Sequence, residues 1–136
     1  MKHKHAMPGL NLILVLATLL ALTACVSRST TRSVSNTTRT LKNTSETETF
    51  ALDVSPLADS VDIQIRCNLT SGSIHWTLTD PQGDMRWEGT ATRKEQESRR
   101  FQTIAGEWVL DVTAESANGK YSLEWEAIGT QLGSKH

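Results

Sequence analysis

Cysteine, histidine and carboxylate side chains are the groups of this chain that could hold a metal, attack a carbon or carry a covalent modification. The 136 residues contain two cysteines, Cys25 and Cys67, and four histidines, of which only His75 lies away from the chain ends. A nucleophilic Ser or Cys needs a base within hydrogen-bond reach. Zinc needs several His or Cys ligands. Cys67 and His75 alone supply neither set, and no serine sits in a nucleophile motif, so the sequence reads as non-enzymatic. Carboxylates are more plentiful. Asp111, Glu124 and Glu126 are the candidates for a calcium site, because calcium takes hard oxygen ligands. No contiguous loop with ligand spacing accompanies them, and Asp80 and Asp84 are explained by a turn.

Cys25 stands apart because of what precedes it. Lys2 and Lys4 give a positive start, and Leu10 to Leu22 is an almost unbroken apolar run, interrupted by Asn11 and Thr18. The run is shorter than the roughly 20 apolar residues that cross a bilayer, and it fits the apolar region of a secretory signal. It ends in Leu22-Thr23-Ala24-Cys25. This quartet resembles the lipobox of bacterial lipoproteins: an aliphatic residue, a small or hydroxyl residue, a small residue, then Cys. The resemblance covers residues 1–25. It implies that 1–24 is a lipoprotein signal peptide and that the Cys25 thiol takes a diacylglyceryl group, with a further acyl chain such as palmitate on its amine. Two or three chains make a stable attachment, since each buried CH₂ contributes about 0.8 kcal/mol. The residue after the cysteine is Val26 rather than Asp, which by the same resemblance implies the outer membrane of a Gram-negative cell, with the surface of a Gram-positive cell as the alternative. With Cys25 lipidated, Cys67 has no partner for a disulfide.

Charge divides the remainder. Residues 25–44 carry Arg28, Arg32, Arg39 and Lys42 and no acid, whereas residues 45–136 carry all 15 acids and eight bases. A basic segment beside an anchor suits an anionic membrane surface. The acidic body argues against nucleic-acid binding, which wants the opposite sign. Residues 26–48 are dominated by Ser, Thr, Arg and Asn with almost no apolar periodicity. The expectation is a lipidated Cys and flexible tether over 25–48, because such a stretch buries too little to offset chain entropy. As a coil its ends would lie ~25 Å apart. Three Asn-x-Ser/Thr triplets, at Asn36, Asn43 and Asn68, are expected by chance in Ser/Thr-rich sequence.

From Phe50 onward period-two alternation dominates. Val61, Ile63, Ile65, Cys67 and Leu69 share one face, opposite Asp62, Gln64, Arg66 and Asn68. Ile74-Trp76-Leu78, Met85-Trp87, Trp108-Leu110-Val112 and Tyr121-Leu123-Trp125-Ala127 repeat the pattern, and Phe101 starts a strand toward Ile104. About seven short strands and no amphipathic helix follow, hence an all-β fold: a single antiparallel β-sandwich over 49–130, with 131–136 a disordered tail. Asp80-Pro81-Gln82-Gly83 suits a type I turn. Asn118-Gly119 is a strong two-residue hairpin signal. That hairpin would set Leu110 against Ala127, Val112 against Trp125, and Asp111 directly opposite Glu126. Like charges so placed destabilise a sheet unless a cation, a basic partner or a neighbouring Arg relieves them.

The stretches SGSIHWTLTDPQGDMRWEG and IAGEWVLDVTAESANGKYSLEWE resemble the jelly-roll sandwich modules of the bacterial pre-peptidase C-terminal type. The matching pieces are Leu78 with Asp80-Pro81-Gln82-Gly83, Gly106-Glu107-Trp108, and Gly119-Lys120-Tyr121-Ser122-Leu123, about 55 residues in all. The resemblance implies a jelly-roll-like fold and a non-catalytic accessory role. Trp76, Trp87, Trp108 and Trp125 invite a sugar-stacking reading, but all lie in phase with their strands' apolar faces and read as core, as does Tyr121, its hydroxyl seeking a backbone partner. Arg93, Lys94, Arg99 and Arg100 form a basic run that is either solvated or a contact for a membrane or anionic glycan. The expectation is therefore an envelope lipoprotein, held at the membrane by its lipid, whose β-sandwich is a binding or accessory domain for an envelope protein partner. The alternatives are a structural component without a ligand, or a cation- or glycan-binding module.

Overall fold

The structure is a computed structural model and describes residues 28–132. Cys25, the 1–24 segment and residues 133–136 lie outside the described residues. Five strands form: β1 (Arg28–Val54), β2 (Ser60–Thr79), β3 (Met85–Ala91), β4 (Glu95–Gln102) and β5 (Gly106–Leu132). The β2–β3, β2–β4 and β2–β5 pairings are antiparallel. The sheet runs β1-β5-β2-β3, with β4 also on β2. The all-β antiparallel architecture is as the alternation implies.

The strand count is not. The alternating runs 61–69 and 74–78 are two halves of one strand, β2, and 108–112 and 121–127 are two halves of β5. Asn118-Gly119 is not a hairpin. The chain continues through it, and β5 pairs with β2 along its length, from Ser60↔Ile128 to Thr79↔Val109. The register slips between Leu69 and Ser73, opposite Ser116 to Gly119. Gly72, Ser116 and Gly119 all have positive φ there. A Cβ at Gly119 would collide with the Asn68 carbonyl oxygen, and one at Gly72 with the Glu115 and Ser116 carbonyls. The glycines are needed because two backbones bend together, not because the chain reverses.

The bend folds the sheet upon itself. Trp87 on β3 stands beside Leu78, and Phe101 on β4 beside Val61. In a flat sheet those positions would lie roughly 55 Å apart, at about 3.3 Å per residue. Their ring centroids are 6.3 Å apart. One sheet thus supplies both layers of the sandwich. The first layer holds β4, the 60–69 half of β2 and the 119–128 half of β5. The second holds β3 and the 73–79 and 109–115 halves. Between them lie Ile63, Ile65, Ile74, Leu78, Leu110 and Trp108, each at most 1% exposed. Burying an aliphatic side chain of this size contributes roughly 1.5–3 kcal/mol.

The expected tether is also replaced. Residues 28–48 belong to β1, the neighbour of β5. Its polar side chains are held by those of β5: Thr47 with Thr113 at 2.9 Å, Thr49 donating to Asp111 at 2.5 Å, and Ser45 accepting from the Ser116 amide at 2.9 Å. An edge strand draws its order from backbone pairing and needs little apolar surface, which is why composition did not reveal it. At the other end, β5 runs to Leu132, into the expected tail.

Candidate functional site

Alternation puts Asp62, Gln64, Arg66 and Asn68 of β2 on the outer face of the first layer. Register then builds a polar surface around them. Arg66 lies between Ser122 and Gln96, Gln64 between Glu124 and Ser98, and Asp62 between Glu126 and Arg100. Two clefts open there. The larger, ≈ 550 Å³, is lined by Thr38, Arg66, Asn68, Gln96, Lys120 and Ser122, with Lys94 and Glu95 at its β4 side. The smaller, ≈ 450 Å³, takes in Asp62, Gln64, Ser98, Arg100, Glu124 and Glu126. Strands β2, β4 and β5 line both, with Thr38 of β1 added at the larger, so the clefts follow one another along β2.

Ion pairs organise this face. Arg100 donates twice to Asp62, at 2.6 and 2.7 Å, and those hydrogen bonds hold the Asp62 carboxyl below its usual range. Arg32 of β1 reaches Glu126, with one contact at 3.1 Å. Arg66 donates to Gln96 at 3.2 Å and lies 3.8 Å from Glu124. Arg66 lines the larger cleft and Glu124 the smaller, so this long pair marks their boundary.

The calcium candidates do not come together. Asp111 stands opposite Thr77 in the second layer, while Glu126 stands opposite Asp62 in the first. The Asp111–Glu126 juxtaposition required the hairpin, and it is lost with it. Glu124 and Glu126 are near neighbours, but Arg66 and Arg32 answer them from the adjacent strands. Among the described residues no three His, Cys, Asp or Glu side chains gather as a metal group.

Cys67 is 3% exposed and faces the core, as its phase predicts. Burial pushes its thiol up to about 11, with Glu95 and Glu97 adding to the shift. His75 lies in the second layer, its Nδ1 3.0 Å from the Thr90 hydroxyl. Trp76, Trp87 and Trp108 are buried, but Trp125 is half-buried. With Phe50, Leu52 and Leu123 it lines a slot of ≈ 220 Å³. Tyr121 is buried and donates to the Glu48 carboxylate rather than to backbone. Burial and that bond raise the Tyr121 pKa. Glu48 also accepts from Arg39 at 2.8 Å. The sequence reading missed Glu48 and Arg39 because both fall in the stretch assigned to the tether. The Thr47/Thr49 alternation with Glu46/Glu48 was the available signal.

No protein-family model matches this chain, and no curated protein matches it in sequence. Solved structures do resemble it in shape. A subunit from work on Bacillus endospore appendages, which form disulfide-linked pili, superposes with a TM-score of 0.50 at 8% identity, covering 80% of this chain and 96% of that one. The SPBc2 prophage-derived protein YomS gives 0.43 at 15% identity, over 78% and 98% of the two chains. The family 11 carbohydrate-binding module of a Clostridium thermocellum cellulase gives 0.33 at 11%, over 85% and 94%. At such identities the likeness concerns the fold alone.

Proposed function

We propose that this protein is a bacterial lipoprotein whose lipidated Cys25 ties a non-catalytic β-sandwich binding domain to the cell envelope, at the outer membrane. The lipobox-like Leu22-Thr23-Ala24-Cys25 and the following Val26 support the anchor and its destination. The observation that carries the binding role is the pair of clefts, ≈ 550 and ≈ 450 Å³, set end to end on the outer face of one layer. The face is set by backbone pairing of β2 with β4 and β5, and preformed surfaces lose little entropy on binding. Catalysis has less to draw on. Cys67 faces the core with its thiol pushed up, and His75 belongs to the other layer. They therefore form no nucleophile–base pair.

A second mode of binding is favoured by β1. It ends the strand order and runs 27 residues. Its outer edge pairs with no other described strand and offers backbone groups to an added strand from an envelope protein. The anchoring claim is tested by Cys25→Ser. The variant should lose incorporation of labelled fatty acid and move from the membrane to the soluble fraction. Equal labelling and equal sedimentation with membranes would reject the anchor.

A further inference from the structure

The two ends of the groove differ in charge. In the larger cleft Arg66, Lys94 and Lys120 stand with one carboxylate, Glu95. In the smaller, Asp62, Glu124 and Glu126 stand with Arg99 and Arg100. Glu95 is engaged from outside the larger cleft by Arg93, at 3.8 Å. Lys94 and Lys120 meet no carboxylate within ion-pair distance among the described residues. Two unanswered ammonium groups and a loosely paired guanidinium in an acid-rich domain are ready to meet an anion. The domain's overall negative charge does not prevent this, because salt screens charges beyond about 8 Å at physiological ionic strength.

The rest of the lining favours hydroxyls. Thr38, Asn68, Gln96 and Ser122 can donate or accept in the larger cleft, and Asp62 and Glu126 can accept in the smaller. From Asn68 to Asp62 the groove runs roughly 20 Å along β2, at about 3.3 Å per residue. Among the described residues, none of the large exposed apolar side chains, Val34, Leu57 and Met85, lines either cleft, so none of these would flank a lipid headgroup. Neither cleft offers an outward aromatic on which a nucleic-acid base could stack. The smaller cleft is close to neutral once Arg99, Arg100 and the ion-paired Arg32 are set against its three carboxylates, so it adds no attraction for a second acidic sugar.

We propose that this groove binds an extended oligosaccharide in which acidic sugars are spaced by neutral ones. A sugar carboxylate sits among Arg66, Lys94 and Lys120, and neutral sugar hydroxyls meet Asp62 and Glu126. The inference rests on reading the domain as an envelope binding module and names the ligand class of its groove. The test is calorimetric titration of the full chain in detergent micelles. Its probe is a tetrasaccharide of alternating glucuronate and N-acetylglucosamine, with chitotetraose as the neutral control. The acidic probe should bind about tenfold more tightly than the control, and Lys94→Ala with Lys120→Ala should remove about tenfold of affinity. An unchanged thermal midpoint would show the double variant folded. Gln64→Ala, which keeps every charge, should weaken both sugars alike. Equal affinity for chitotetraose, or an unaffected double variant, would overturn the acidic class. Binding of neither sugar would overturn the saccharide altogether and leave the membrane anchor standing on its own test. If the unlipidated Cys25→Ser chain instead binds phosphatidylglycerol vesicles through Lys94 and Lys120, the groove is a membrane contact and the proposal fails.

Discussion

Cys67 shows how far one side chain's phase can carry an argument. Alternation placed it on the apolar face of its strand, and it is buried there beside Tyr121 and Glu95. Burial raises its thiol from 9.0 to about 11. The sign follows: the neutral thiol is the form the fold favours. Its contribution to stability is fully present below the unfolded value and is lost as pH rises through the folded one. Native protein at pH 8 should therefore react negligibly with a thiol-specific disulfide reagent, and should lose stability between about pH 9 and 11. Cys67→Val should weaken that alkaline loss in a denaturation series. In denaturant the same reagent counts thiols. One per chain fits a thioether on Cys25, and two would leave Cys25 free. Side chains whose partners come from distant strands were not legible in this way. Asp111 bonds Thr49, and Glu126 meets Arg32. Both partners lie in a segment with no apolar pattern to place it.

Among the elements, the two long strands are the lesson. The alternating runs are strands with mostly buried apolar faces, Met85 at 59% exposed and Trp125 half-buried being exceptions. Phe101, however, closes β4 instead of opening a strand toward Ile104, because the charged 95–100 stretch pairs with β2 without an apolar face to announce it. What alternation cannot report is whether an interruption reverses the chain or only bends it. Asn-Gly favours positive φ in either case. Gly119 has φ 130 with the Asn68 carbonyl behind it, whereas Gly83 has φ 88 and open space around it. Asp80-Pro81-Gln82-Gly83 is indeed a turn. The Gly83 amide donates to the Asp80 carbonyl at 3.0 Å, and the buried Asp80 carboxylate accepts from the Gln82 and Asp84 amides at 2.9 and 3.0 Å. Gly119→Ala should thus cost about 2–3 kcal/mol and Gly83→Ala about 1 kcal/mol in urea denaturation, since the first adds a backbone collision to the same positive-φ strain. Similar losses at the two sites would argue for a hairpin at Gly119 after all.

For the whole molecule, β1 decides what counts as domain. It gives the core Leu41, Leu52 and Val54, all buried. Arg39, Glu48 and Tyr121 join its two halves to β5. Removal of residues 28–42 should accordingly lower the thermal midpoint by several degrees, because Leu41, the Arg39–Glu48 pair and a run of sheet pairing all go with it. A dispensable tether would leave the midpoint unmoved.

The start of β1 at Arg28 also sets a distance. Three peptide units separate Cys25 from Arg28, and at most ~3.6 Å each they span about 11 Å. A coil through residue 48 would have had a root-mean-square span of ~25 Å and a longer reach still. With Cys25 as the proposed anchor, the volume the groove can sweep shrinks by roughly the cube of that ratio. The effective concentration of any envelope polymer within reach rises about tenfold by the same factor. A groove of modest intrinsic affinity would then stay occupied by what lies beside its own membrane and stay empty toward the same polymer in solution.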